Sequence, residues 1–125
     1  MKDKITISSL GHTWILDLDG TTVRHNGYKI DGHDTLLDGA LDFLNSLPSG
    51  DMIVFITSRP NDFKQQTEDF LKNNGIRYDH IIFNAPYGER ILINDKKMSG
   101  LPTSVAVNTD RDEFCKVDFI VDNTL

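Results

Sequence analysis

Two aspartates separated by one residue are the first group in this sequence that could do chemistry. Asp17 and Asp19 follow the apolar run at 13–16. In an extended chain, residues i and i+2 point to the same side, so both carboxylates can face one pocket while Leu18 turns into the core. Such a pair repels, and the repulsion is relieved by a divalent cation with oxygen ligands or by a proton held on one aspartate. The pair therefore indicates a metal site, acid–base chemistry, or both.

Further polar residues stand directly after two other apolar runs. Thr57 and Ser58 follow the run at 52–56, and Asp95 follows the run at 91–93. If these runs are parallel strands, their carboxyl ends meet at one edge of the sheet, where α/β proteins bind ligands. Asp95 would then be a third carboxylate for Mg²⁺, while the Thr57 hydroxyl and the Ser58 amide would donate to an anion. This pattern predicts an anion site that holds Mg²⁺.

The elements that must position these residues alternate between strands and helices. Helical spacing of apolar residues extends from Asp34, the expected N-cap, to Leu47, and again from Asn61 to Asn74 before Gly75. The alternation predicts an α/β fold, a Rossmann-like parallel sheet with flanking helices. Short apolar runs typical of strands lie at 13–16, 52–56, 81–83, 91–93 and 104–107, and residues 117–121 alternate like an edge strand.

A tight turn is indicated between the first strand and the first helix. Asn26 and Gly27 sit between two short β-compatible arms, which is a strong short-range signal for a two-residue hairpin. Residues 21–30 are therefore predicted to form a small β-hairpin flap. His25 and Tyr28 flank its turn, where they would be either solvated loop residues or contacts for a leaving group.

The composition is typical of one globular domain. With 125 residues, of which 38% are hydrophobic, the chain can bury a core. We expect a single catalytic domain over residues 1–125, with 1–12 as an N-terminal extension. The formal net charge of -6 argues against nucleic acid as a partner. No apolar run approaches the roughly 20 residues that span a bilayer, and no signal-peptide core follows the start, so we expect a cytoplasmic protein without a membrane partner.

Three motifs, in this order, resemble those of the haloacid dehalogenase-like (HAD) hydrolase superfamily. Residues 17–22, Asp-Leu-Asp-Gly-Thr-Thr, resemble its first motif, Thr57 resembles its second, and Asn94 with Asp95 resembles its acidic fourth. The resemblance covers residues 13–110. Since no insertion follows the first motif or the second strand, it implies the HAD core without a cap domain.

The resemblance implies a Mg²⁺-dependent phosphatase that forms a phosphoaspartate. Asp17 would be the nucleophile, and Asp19 would protonate the leaving oxygen and then accept a proton from water. Mg²⁺ would be held by Asp17, Asp95 and the main-chain carbonyl of Asp19. Thr57 would bind a phosphate oxygen, and Gly20 would let backbone amides approach the substrate.

The sequence departs from the family at the third motif. That motif normally supplies a phosphate-binding lysine, often as Gly-Lys-Pro, whereas residues 83–86 are Phe-Asn-Ala-Pro. We predict that Arg90 substitutes, because its guanidinium can bind two phosphate oxygens. Two interpretations of Arg59 remain: a surface charge or a substrate contact. Other candidate cations are Lys64, Lys96 and Lys97.

The substrate is less defined than the reaction. Residues 87–97 are similar to those of short phosphatases linked to capsule and surface-polysaccharide biosynthesis, so the expected substrate is a small phosphorylated metabolite such as a sugar phosphate. One alternative is a phosphotransferase or a polynucleotide 3'-phosphatase of the same superfamily. Another is a non-catalytic HAD-like module that binds a phosphorylated ligand. Without a cap the site would be open to water, so we expect the 21–30 hairpin or assembly into a homo-oligomer to help close it.

Overall fold

A computed structural model describes residues 2–125 as a mixed α/β protein with parallel sheets. This confirms the α/β class and the parallel pairing of strands. The strands are β1 (Lys4–Ile7), β2 (Thr13–Asp17), β3 (Met52–Ile56), β4 (His80–Ile82) and β5 (Asp118–Val121). The helices are α1 (Gly27–Ile30), α2 (Ala40–Ser46) and α3 (Lys64–Asn73), and a 3₁₀ turn, Asn61–Phe63, precedes α3.

The chain divides into two compact units. The sheet unit comprises residues 11–86 and 109–115, and the terminal unit comprises 2–10, 87–108 and 116–125. The sheet unit contains β2, β3 and β4 in that order, and the terminal unit contains β1 paired with β5. The single catalytic domain over residues 1–125 stays a prediction.

The parallel register of the sheet unit places the first and second motifs at one edge of the sheet, where β2 and β3 end. Asp17, the last residue of β2, lies beside Ile56, the last residue of β3, and Thr57 follows directly. The central strand β3 buries Ile53 and Phe55 completely. The expected meeting of these strand ends is therefore confirmed.

A single apolar cluster holds this sheet against its helices. Leu44 of α2 and Leu71 of α3 pack with Ile53 and Phe55 of β3, and Leu18 joins the same cluster. Leu18 is 1% exposed, as the alternation of an extended chain predicts for the residue between the two aspartates. Burial of Leu18 fixes the loop that carries Asp17 and Asp19.

The predicted β-hairpin over residues 21–30 is wrong. Asn26 does adopt the left-handed conformation of a turn residue (φ 55°), but the chain then forms the single helical turn α1. The cause is tertiary packing: Tyr28 is buried and its ring meets Phe63 edge-on, with 4.8 Å between centroids. An extended arm returning from Gly27 would lose this contact.

The first predicted helix begins later than expected. α2 starts at Ala40, after Gly39 in the left-handed conformation (φ 87°), and Asp34 is not its N-cap. Leu36 instead forms an antiparallel bridge with Val23. The Asp34 side chain is buried against an arginine of another element, so an ion pair outweighs its capping preference.

The predicted strands at 91–93 and 104–107 are also wrong. Both segments lie in the terminal unit without regular secondary structure, and Ile91 and Ile93 are 83% and 91% exposed. A short apolar run becomes a strand only where a neighbour completes its backbone hydrogen bonds. In the terminal unit, the two strands β1 and β5 pair with each other.

The predicted N-terminal extension contains a strand that its sequence pattern does not indicate. Lys4–Ile7 pairs in parallel with Asp118–Val121, which confirms the edge strand predicted over residues 117–121. Within residues 2–125, no helix combines the length and the apolar character needed to cross a bilayer.

Gly75 ends α3 as predicted, and its replacement is expected to destabilise the fold. It has φ 69°, and the amide of Ile76 donates back to the Leu71 carbonyl at 3.0 Å. We expect Gly75→Ala to lower the free energy of unfolding by about 1 kcal/mol, because an L-residue is disfavoured in the left-handed region. A Cβ meets nothing within 4 Å at Gly75 or at Gly50, which lacks a positive φ, so Gly50→Ala is the matched control. Equal midpoints of urea denaturation for the two variants would contradict the prediction.

Candidate active site

The loop after β2 turns sharply around one carbonyl group. The Leu18 carbonyl accepts hydrogen bonds from the amides of Thr22 and Val23 at 2.9 and 3.0 Å. Gly20 has φ 82°, and a Cβ there would come within 3.2 Å of the Arg111 side chain. The turn therefore needs glycine both for its backbone conformation and for the close approach of Arg111.

Asp17 is held at the tip of β2 by two hydroxyl groups. The Thr21 hydroxyl donates to Asp17 Oδ2 at 3.3 Å, and the Thr22 hydroxyl donates to the Asp17 carbonyl at 2.8 Å. Thr22 is completely buried and Asp17 is half-buried. The Asp17 carboxylate is thus oriented by its own loop while it remains partly accessible.

Asp19 is bound by Arg59 through both of its oxygens. Arg59 Nε donates to Asp19 Oδ2 at 3.0 Å, and Arg59 Nη2 donates to Oδ1 at 3.0 Å. The Arg59 side chain is 1% exposed and that of Asp19 is 16% exposed. This two-pronged pairing fixes the plane of the Asp19 carboxylate.

The same guanidinium binds a second carboxylate. Arg59 Nη1 and Nη2 donate to Asp34 at 2.9 and 2.6 Å, and Nη1 also donates to the Thr67 hydroxyl at 2.9 Å. The Tyr28 ring lies against the guanidinium, with its centroid 4.0 Å from Cζ. We call Asp19, Asp34, Arg59, Thr67 and Tyr28 the Arg59 cluster. Burial lowers the pKa of Arg59, but its hydrogen bonds and charge attraction to Asp34 and Asp19 outweigh burial and raise that pKa, so Arg59 is charged.

Thr57 and Ser58 shape the loop that delivers Arg59. The Thr57 side chain is completely buried, and its hydroxyl accepts a hydrogen bond from the Arg59 amide at 3.1 Å. The Ser58 hydroxyl donates to the Pro86 carbonyl at 3.4 Å. These contacts give both residues a local structural role. Their binding of a phosphate, like that of Gly20, stays a prediction.

Asp95 and Arg90 belong to the terminal unit. Both are exposed and lie outside any helix or strand; the Asp95 amide donates to Asn94 Oδ1 at 3.1 Å. Across residues 2–125 no group of three or more His, Cys, Asp or Glu side chains is arranged to hold a metal ion. The predicted ligand set of Asp17, Asp19 and Asp95 stays a prediction. The donors that the sheet unit offers to Mg²⁺ are the Asp17 carboxylate and the Asp19 main-chain carbonyl, because Arg59 engages the Asp19 side chain.

A second loop contacts the first motif within the sheet unit. The Asp112 amide donates to the Gly20 carbonyl at 2.8 Å, and Asp112 Oδ1 accepts from the His25 amide at 2.6 Å. His25 Nδ1 is buried without a hydrogen-bond partner in the described part of the chain. Arg111 packs over Gly20, so a histidine and an arginine flank the turn that follows Asp19.

Sequence reasoning missed the roles of Asp34 and Arg59. A partial signal existed for Arg59, which follows a strand end at the edge where the two aspartates were expected. None existed for Asp34, because its partner lies 25 positions along the chain and no spacing rule connects them.

No protein-family model matches the chain, and no curated protein matches it. Among solved structures, it is similar to a chain of the Pnkp1/Rnl/Hen1 complex, with 26% identity over 68% of this chain and a TM-score of 0.52. A chain of the Pnkp1/Rnl/Hen1 RNA repair complex matches with 26% identity over 69% and a TM-score of 0.53. This chain spans 32% and 30% of those chains. The similarity is consistent with the HAD-like α/β fold implied by the motifs, and membership of that superfamily stays a prediction.

Proposed function

We propose that this chain is a phosphoryl-transfer enzyme that removes the terminal phosphate of a polynucleotide through a phosphoaspartate on Asp17. The observation that carries the proposal is the pair of oriented carboxylates at the tip of β2, with Asp17 held by Thr21 and Asp19 held by Arg59. A nucleophile beside a group that can give and take a proton is the machinery of two-step hydrolysis. A module that only binds phosphate has no use for such a pair.

The reaction divides into two displacements at phosphorus. In the first, an Asp17 oxygen forms a bond to phosphorus while the bond from phosphorus to the leaving oxygen breaks, and Asp19 protonates that oxygen. In the second, water attacks phosphorus, Asp19 takes up the proton of that water, and the Asp17 carboxylate is released. Both steps need Asp19 beside the reacting atoms, where Arg59 positions it.

A bound Mg²⁺ would neutralise charge between the carboxylate and the phosphate. The Asp17 carboxylate and the Asp19 main-chain carbonyl would hold it, with Asp95 as the third ligand implied by the resemblance. Arg90 as the cation that replaces the family's lysine is likewise a prediction from that resemblance.

The similarity to chains of an RNA repair complex favours the polynucleotide 3'-phosphatase among the alternatives raised by the sequence. It counts against our expectation that nucleic acid is not a partner. Arg111 and His25, which flank Gly20, could contact the nucleotide that carries the phosphate. The net charge of -6 favours a second candidate, a small metabolite such as a sugar phosphate, because the chain lacks an overall attraction for nucleic acid.

A substrate comparison tests this choice. We expect kcat/KM for a 3'-phosphorylated oligonucleotide to exceed that for sugar phosphates by about 100-fold, with Mg²⁺ present and with loss of turnover in chelator. Arg111→Ala should raise KM for the oligonucleotide more than KM for an aryl phosphate, and Lys72→Ala, which removes an exposed cation of α3, is the control. A preference for sugar phosphates would select the second candidate. Absence of turnover on every substrate would refute the proposed enzymatic function.

A further inference from the structure

We propose that Asp34 is a positioning residue of this site, which holds Arg59 and through it orients the Asp19 carboxylate. The inference rests on the proposed phosphatase function and deepens it, because it assigns a task to a residue outside all the motifs. Arg59 links Asp34 to Asp19, because it donates hydrogen bonds to both carboxylates.

Asp19 is the most exposed of the three charged side chains in the Arg59 cluster. The side chain of Asp34 is 2% exposed, that of Arg59 is 1% exposed and that of Asp19 is 16% exposed. Arg59 Nη2 bridges the two carboxylates, at 2.6 Å from Asp34 Oδ1 and 3.0 Å from Asp19 Oδ1. The Asp34 end is therefore sealed in protein, and the Asp19 end is the one that solvent or a substrate can reach.

Two further elements prevent the guanidinium from moving with Asp19. The Thr67 hydroxyl of α3 accepts from Arg59 Nη1 and itself donates to the Phe63 carbonyl at 2.7 Å, so its orientation is fixed. The Tyr28 ring of α1 covers the guanidinium, and Tyr28 in turn packs on Phe63. Arg59 is thus anchored on the side remote from the reacting atoms.

This anchoring matters because Asp19 must change partners during catalysis. Both Asp19 oxygens accept hydrogen bonds from Arg59, and an oxygen that carries a proton cannot accept in the same way. Each cycle therefore requires one of these bonds to open and to form again. With Asp34 in place, Arg59 stays where it is while Asp19 exchanges partners. Without the Asp34 charge, Asp19 is the one carboxylate among residues 2–125 that still pairs with the buried guanidinium, which therefore binds it more tightly.

Asp34→Asn tests the proposal, since it removes the charge and keeps the shape. We expect kcat on the 3'-phosphorylated oligonucleotide to fall by about 10- to 100-fold while KM changes less than about twofold, because supporting partners of reactive groups have effects of this size. The matched control is Asp51→Asn. Counted over the whole residue, Asp51 and Asp34 are each 7% exposed, but Asp51 precedes β3 and accepts hydrogen bonds from Trp14 Nε1 at 2.9 Å and the His12 amide at 3.1 Å. It lies at the opposite end of the sheet and should leave kcat unchanged.

A double-mutant cycle separates positioning from a general loss of structure. If Asp34 acts through Arg59 on Asp19, then Asp34→Asn should lower kcat less than about twofold in an Asp19→Asn background. An equal fold-change in both backgrounds, or a wild-type kcat in Asp34→Asn, would overturn the proposal. If Asp34→Asn does not fold, Thr67→Val, which removes one acceptor for Arg59, is measured in the same two backgrounds and judged by the same criterion.

A readout that needs no turnover keeps this inference distinct from the proposed function. The Arg59 Nε–H donates to Asp19, so its hydrogen exchange reports the geometry of that pair by NMR. We expect its exchange rate to fall by about 10-fold or more in Asp34→Asn, because Arg59 then binds Asp19 more tightly, and to be unaltered in Asp51→Asn. An unchanged or higher rate in Asp34→Asn would overturn the positioning role. Absence of phosphate release by the wild-type chain would instead refute the proposed phosphatase function.

Discussion

Asp17→Asn is expected to reduce phosphate release by about a thousandfold or more. An amide has the shape of the carboxylate but lacks the charged oxygen that must bond to phosphorus, and loss of a nucleophile removes the whole two-step route. The Thr21 hydroxyl can still donate to an amide oxygen at this position, so the loop after β2 should be retained. The measurement is phosphate release from the preferred substrate under single-turnover conditions.

The control for this variant is Asp42→Asn on the exposed face of α2. It changes the net charge equally and should leave the rate unaltered. Thermal unfolding of both variants checks that they are folded. An Asp17→Asn protein with the wild-type melting temperature and more than about a tenth of the wild-type rate would contradict the role of Asp17 as nucleophile.

Arg59→Met is expected to cause the largest loss of stability of any single change discussed above. It leaves Asp34 and Asp19 without their shared cation, and breaking a buried ion pair from one side costs about 3–5 kcal/mol. The comparison is Arg24→Met. The Arg24 side chain is 52% exposed and pairs with Asp31 at 3.2 Å, so its loss should cost less than about 1 kcal/mol. Urea denaturation of the three proteins measures both differences.

A second change distinguishes the unpaired charge from lost packing. In the Arg59→Met background, Asp34→Leu removes the buried carboxylate that has lost its partner, so the double variant should be more stable than Arg59→Met alone. Equal losses in Arg59→Met and Arg24→Met would show that the Arg59 cluster is not held as the structure describes.

The sequence correctly predicts the elements whose own apolar pattern determines which of their residues are buried. The run at 52–56 forms β3 with the predicted bounds, because a continuous apolar segment fits a central parallel strand that is buried at Ile53 and Phe55. The helix that the apolar face and the closing glycine predict from Asn61 to Asn74 is present as the 3₁₀ turn Asn61–Phe63 followed by α3. In both cases a local pattern and a nearby sheet favour the same structure.

The failures arise where distant packing decides the outcome. Asn26 and Gly27 have the turn chemistry of a hairpin, yet burial of Tyr28 against Phe63 selects a helical turn. Asp34 has the chemistry of an N-cap, yet it pairs with Arg59. Local propensities are worth about 1 kcal/mol, so a buried ring or ion pair easily outweighs them.

The candidate site likewise combines features that a local pattern predicts with features that depend on distant packing. The sequence predicts the common edge position of Asp17, Asp19 and Thr57, because strand ends of a parallel sheet meet at one edge. The Arg59 cluster could not be found in this way, since Arg59 lies 40 positions from Asp19 and 25 from Asp34. Its existence depends on how α1, α3 and the loop after β3 pack together.

The proposed reaction depends on passage of the phosphoryl group through the Asp17 carboxylate. The most direct test is to mix the wild-type chain with a 3'-³²P-labelled oligonucleotide, quench the reaction with acid during turnover, and locate the label by peptide mapping. We expect an acid-stable, base-labile label on the peptide that contains Asp17, and no label in Asp17→Asn. Turnover without any label on that peptide, together with activity retained in Asp17→Asn, would contradict it.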